Sequence, residues 1–126
     1  MSETRLSGLQ LAILRILWDA GEATVNQVHD GLTPRRKLAP TTVATLLKRL
    51  EKRGLLAHRM EGRQFVYRPL VSADEIGQSM VTELRDDLFA GKASDLVAHL
   101  LASKDIAPGD LAHIKKMIED HERGQL

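Results

Sequence analysis

Within Pro40–Gly54 (PTTVATLLKRLEKRG), Thr41, Thr42 and Thr45 are followed by Lys48, Arg49, Lys52 and Arg53. Short hydroxyl side chains at one end and four cations toward the other can read base edges and neutralise phosphates. Glu51 is the lone acid in the stretch. The same face also fits an ordinary solvated helix surface, so the surroundings must decide between the two. Elsewhere the chemistry is sparse. His29, His58, His99, His113 and His121 are scattered, and none belongs to an H-E-x-x-H or other compact ligand set. They read as surface or helix-terminal histidines, with a metal bridging two copies as the one alternative. The chain has no cysteine, which removes thiol catalysis, disulfides and cysteine-held metals. Its serines form no nucleophile elbow and its glycines no phosphate loop. No enzyme, cofactor or metal is expected.

The elements that must position those threonines and cations follow from apolar spacing. In Pro40–Gly54, Val43, Leu46, Leu47 and Leu50 recur at i, i+3, i+4 and i+7, one face of a helix. Proline suits its first turn and Gly54 its stop. Upstream, Ser7-Gly8-Leu9-Gln10 has the form of a capping box opening a helix to about Ala20. Leu9, Ala12, Ile13, Ile16 and Leu17 make its stripe, and Trp18 reads as a core or interdomain plug. Gly21 ends it. Thr24 or Asn26 then caps a short helix to about Leu32, with Val25, Val28 and Leu32 inward. The link Thr33–Ala39 carries Arg35, Arg36 and Lys37, three consecutive cations placed to meet phosphates if the next helix enters a groove.

Downstream, Leu55–Glu61 and Phe65–Pro69 read as two strands of a hairpin turning around Gly62, Arg63 and Gln64. Phe65 and Tyr67 share one face and Val66 and Arg68 the other. Arg63 lies near the tip, flanked by Arg59 and Arg68. Three helices followed by a basic-tipped hairpin is the order of a winged helix-turn-helix. That order favours the groove reading of Pro40–Gly54.

Ser72-Ala73-Asp74-Glu75 is another capping box, starting a helix to about Ala90. Gly91 interrupts, a second helix runs from Ala93 to about Ser103, and Pro108 opens a last one to about Arg123. Three short amphipathic helices make a thin core by themselves. Burying Leu84, Leu88, Leu96, Leu100, Leu111, Ile114 and Ile118 against a second copy solves this, so a homodimer is expected. Charge divides the chain similarly. Residues 1–70 hold 12 Lys/Arg against 6 Asp/Glu, whereas residues 71–126 hold 6 against 11. The net +1 hides a basic half fit to meet a polyanion and an acidic half that is not. The expected class is mainly α with a small antiparallel β wing, with a winged-helix domain at 1–71 and a helical dimerisation domain at 72–126. With 43% hydrophobic and 3% aromatic residues, the core must be largely aliphatic. No apolar run reaches the roughly 18 residues that span a bilayer, and the opening residues lack a secretory pattern. A cytoplasmic protein without membrane insertion is expected.

The segments LSGLQLAILRILW, LAPTTVATLLKRLEKRGLL, GRQFVYRP and LFAGKASDLVAHLL together carry a resemblance. From Leu6 to about Glu122 the chain resembles the penicillinase-repressor (BlaI/MecI-type) family of bacterial transcription regulators. The resemblance implies a homodimeric repressor on double-stranded DNA, each recognition helix entering the major groove of one half of an inverted repeat. It places DNA contacts at Thr41, Thr42, Thr45 and Arg49, with Arg63 of the wing on the backbone or minor groove. Lys48 joins them as a phosphate anchor, with Arg35, Arg36, Lys37, Lys52, Arg53 and Arg59 as further phosphate contacts. Ala44 departs from relatives that carry a long basic side chain there, leaving apolar contact, for instance with a thymine methyl. The family's antibiotic response runs through a regulatory protease that cuts between Asn and Phe. The aligned bond here is His99–Leu100, where both residues differ; it is kept as the candidate cleavage bond of an antibiotic- or stress-responsive inactivation by a regulatory protease, while the β-lactam signal itself is not carried over. The cysteine hook of copper-responsive relatives is absent. A rival reading is a winged-helix module that meets an acidic protein partner without sequence-specific DNA binding.

Overall fold

A computed structural model describes residues 6–103 and 106–124 of the chain. By packing it divides into two units, Met1–Glu83 and Leu84–Leu126. The first begins with α1 (Gly8–Ala20), β1 (Ala23–Thr24), α2 (Val25–Leu32) and α3 (Pro40–Lys52), and continues with β2 (Leu56–Glu61) and β3 (Gln64–Pro69). It also takes in most of α4 (Ala73–Leu88), whose last residues fall in the second unit with α5 (Ala93–Ala102) and α6 (Pro108–Gly124). The mainly α class with a small antiparallel wing is borne out.

Local chemistry explains where the helices start. Ser7 and Gln10 exchange the two hydrogen bonds of a capping box at α1, Thr24 and Gln27 do so at α2, and Ser72 and Glu75 at α4. Helix α3 has no side-chain cap and relies on Pro40 at its first turn. Its end is a Schellman motif: the Gly54 amide donates to the Glu51 carbonyl at 2.9 Å and the Leu55 amide to the Leu50 carbonyl at 3.1 Å. Gly54 has φ +82°, a backbone conformation that side chains disfavour.

The sheet contains the expected hairpin, β2 paired antiparallel with β3, and adds a third strand to it. Strand β3 is central, in the order β1-β3-β2, with Ala23 opposite Tyr67 and Thr24 opposite Val66. Two residues are too few to display alternation, which is why β1 escapes a sequence reading. Gln64 belongs to β3 and pairs with Glu61, leaving Gly62-Arg63 as a two-residue turn with positive φ at Gly62 (62°). Because β3 is covered on both faces, the adjacent Val66 and Tyr67 are both buried, while Arg68 stays exposed.

The core of the first unit is Ile13, Leu14 and Leu17 of α1, Val28 and Leu32 of α2, Val43, Leu47 and Leu50 of α3, with Leu55, Leu56, Tyr67 and Ile76. Leu14, outside the expected stripe, is fully buried, whereas Leu9, Ala12 and Ile16 pack at its margin. Trp18 donates from Nε1 to the Val71 carbonyl at 2.8 Å, fastening α1 to the entry of α4. Ile76 in that entry turn is buried in the same core. The packing boundary thus falls at 83/84, beyond the sequence break at 71/72. In the second unit no described residue is buried, and Leu88, Leu100 and Ile118 are 69%, 56% and 52% exposed.

Candidate nucleic-acid interface

Burial of Val43, Leu47 and Leu50 fixes the rotation of α3 about its axis and leaves Thr41, Thr42, Thr45, Lys48, Arg49 and Lys52 exposed. Ala44 is half-buried at the margin of that face, and Arg53 is half-buried at the helix C-cap. The Thr45 hydroxyl donates to the Thr41 carbonyl at 3.0 Å. Its proton is spent inside the helix, so outward it presents lone pairs and a methyl group. Such a side chain accepts from a base amino group or packs on a thymine methyl.

The single acid of α3 is turned to other work. Glu51 Oε2 lies 2.6 Å from His58 Nδ1 on β2. The His58 ring in turn contacts Phe65 and Tyr67 of β3, with centroids 4.7 and 5.7 Å away. This cluster clamps the end of α3 to the hairpin. It also leaves the exposed face of α3 with threonines and cations and no carboxylate.

Arg59 behaves differently from the other cations. It reaches Glu22 at 2.7 Å through Nη2 and Glu61 at 3.0 Å through Nη1. The Arg59 hydrogen bond holds the Glu22 carboxyl below the usual carboxylate range, and the charges of Arg59 and Arg68 add to the effect. Arg59 therefore has two carboxylates at hand, and its main visible role is to tie β2 to the segment before β1. Glu22, Glu51 and His58 were not singled out from sequence for these roles. Their partners lie 37 and 7 residues away, and only the fold brings them together.

Arg35, Arg36 and Lys37 are exposed on the link. The link is fastened at both ends. The Arg35 and Arg36 amides donate to the Leu32 carbonyl, and His29 donates from Nε2 to the Leu38 carbonyl at 2.7 Å. Arg63 at the turn of the wing lines a cleft of about 230 Å³ with Thr24, Val25 and Asn26, bringing the wing tip beside the start of α2. In the second unit, His99 donates from Nδ1 to the Asp95 carbonyl at 2.9 Å, and its ring contacts Phe89. The His99–Leu100 bond thus lies inside the continuous helix α5. Among the described residues no group of three or more histidine or acidic side chains could hold a metal ion, and no helix is long and apolar enough to cross a membrane.

Comparison with known proteins identifies relatives of the whole chain and of its winged-helix unit. The chain is 24% identical over 118 residues to the penicillinase repressor of Bacillus licheniformis, covering 94% of this chain and 92% of that protein. It is 40% identical over 81 residues to the transcriptional regulator BlaI of Mycobacterium tuberculosis, covering 64% and 59% respectively. The solution structure of the DNA-binding domain of the repressor BlaI superposes with a TM-score of 0.52 at 31% identity, over 59% of this chain and 90% of that one. The penicillinase repressor family model matches residues 6–120. With its motifs, its winged-helix unit and nearly its whole length in agreement, the chain belongs to the penicillinase repressor family.

Proposed function

We propose that the chain is a DNA-binding transcriptional repressor that acts as a homodimer on an inverted-repeat operator. The observation that carries the reading is the outer face of α3, where three exposed threonines and three exposed cations lie without a carboxylate among them. A helix of that composition, about 10–12 Å across with its side chains, suits a major groove about 12 Å wide. Thr41, Thr42 and Thr45 are assigned to base edges, and Lys48, Arg49 and Lys52 to phosphates. Arg35, Arg36 and Lys37 on the link and Arg63 on the wing extend the phosphate contacts to either side. Arg53 at the helix end and Arg59 are secondary to these, the latter because Glu22 and Glu61 already share its charge.

The second unit supports the dimer. Its helices keep Leu84, Leu88, Leu100, Leu111 and Ile118 exposed, with Leu96 and Ile114 half-exposed. A face of that kind is stabilised by a second copy. Joining two half-site binders makes the second contact intramolecular, with a gain on the order of 10²–10⁴. Cleavage at His99–Leu100 would remove that gain without touching α3. A protease needs an extended backbone, so α5 must open before it is cut. Selection of bound duplexes from a random pool tests the reading. Recovery of two half-sites in inverted orientation, with affinity falling linearly in log salt, is expected. Recovery of no sequence, or salt-independent binding, overturns it.

A further inference from the structure

A cleft lies between α1, α2 and the link. It has a volume of about 450 Å³, within the roughly 300–1,000 Å³ typical of small-molecule sites. Leu11, Ala12 and Ile16 of α1 and Leu32 of α2 supply apolar walls, and three exposed arginines, Arg15, Arg35 and Arg36, also line it. A Cβ on Gly31 would lie 2.8 Å from Ile16 Cδ1, so glycine is what lets the two helices close the base of the cleft. Arg36 reaches back over the first turn of α1, its Nη2 lying 3.8 Å from where a Gly8 Cβ would stand. That turn adds the partial positive charge of a helix N-terminus. At the C-terminal end of α2 the Leu32 carbonyl accepts from the Arg35 and Arg36 amides. No acidic residue lines the cleft, and among the described residues none of the three arginines has a carboxylate within ion-pair distance.

We propose that this cleft binds a small amphipathic organic anion, a carboxylate carried on an aliphatic or aromatic body. The cations alone would suit any phosphate. The apolar walls add nothing to a phosphate but shelter a hydrocarbon body, and cavity size limits the ligand to a small molecule. Arg15, on the α1 side, is the anchor that has no other assignment. Arg35 and Arg36 are shared with the proposed phosphate contacts, so a carboxylate that engages them lowers affinity for DNA. By linkage, DNA lowers affinity for the anion by the same factor. This coupling rests on the proposed function, whereas binding in the cleft does not.

The test uses the full chain and three probes, 4-phenylbutyrate, hexanoate and indole-3-acetate, followed by amide NMR shifts, with 4-phenylbutanamide and inorganic phosphate as controls. At least one carboxylate should give saturable shifts at Leu11, Ala12, Ile16 and Gly31. The amide analogue should bind tenfold weaker or worse, and phosphate should leave these signals in place. Arg15→Gln should weaken the bound probe tenfold or more while changing duplex affinity less than twofold. Absence of saturable shifts with all three carboxylates overturns the site, as do equal shifts with inorganic phosphate. An Arg15→Gln variant that loses affinity for every duplex, with a shallower salt slope, overturns it as well and makes Arg15 a backbone-phosphate contact. Saturable binding that leaves duplex affinity unchanged upholds the site and overturns the coupling.

Discussion

Thr45 shows how one hydrogen bond narrows what a residue can do. With its proton committed to the Thr41 carbonyl, the hydroxyl offers an acceptor and the side chain a methyl. Thr45→Val keeps the shape and removes the acceptor, so it should relax preference at one base pair by roughly 1–3 kcal/mol, measured across a panel of single-substitution duplexes. Lys48→Ala should instead weaken all duplexes about equally and reduce the salt slope by about one. The Arg59–Glu22 pair makes a separate prediction. The folded-state pKa of Glu22 is depressed, so the pair contributes above the ordinary glutamate value and is lost as pH falls through the folded value. Carbon-detected NMR titration should find Glu22 titrating low, and Arg59→Gln should return it to the ordinary range. An unchanged Glu22 in that variant would contradict the pairing. The threonines and lysines of α3 were legible in sequence because helical spacing alone puts them on one face. The partner of Arg59 was not, since Glu22 lies 37 residues away.

At the scale of elements, the end of α3 carries more than its apolar stripe suggests. The Gly54 turn sends the chain directly into β2, and the Glu51–His58 contact with the Phe65 and Tyr67 rings holds the hairpin against the helix. Replacing Gly54 by alanine puts a Cβ at φ +82° and should cost about 1–2 kcal/mol, seen as a lower denaturation midpoint with unchanged slope. There is open space around that position, so the loss would come from the backbone and not from a clash. Capping boxes at Ser7 and Ser72 were readable because each is closed within four residues. Strand β1 was not, because two residues carry no period and its pairing with β3 spans more than forty positions.

For the whole molecule charge and packing divide the chain at different points, the acidic part beginning at residue 71 and the second packing unit at Leu84. The first unit has a closed aliphatic core with the basic face of α3 outside it, and the second unit has no buried residue among those described. The acidic part from residue 71 onward, with 6 Lys/Arg against 11 Asp/Glu, is repelled from a duplex. Leu100→Asp combined with Ile118→Asp places charges on the exposed apolar face and should yield a monomer by sedimentation. Its affinity for a two-half-site duplex should then fall by on the order of 10²–10⁴, with single half-site affinity preserved. A variant that remains dimeric would move the interface elsewhere.

Periodicity, caps and turn residues are local properties, and they determined by themselves the helices, the wing, the exposed threonines and cations of α3 and the family motifs. What the tertiary structure decided are relations between distant residues: Tyr67 and Val66 buried together in a strand covered on both faces, Glu51 drawn from the α3 face by His58, Arg59 compensated by Glu22, and Arg15 brought into one cleft with Arg35 and Arg36. A sequence states which charges exist. Whether a given charge is spent inside the protein or left for a ligand depends on which partner the packing of the core brings within about 3 Å, the reach of a hydrogen bond.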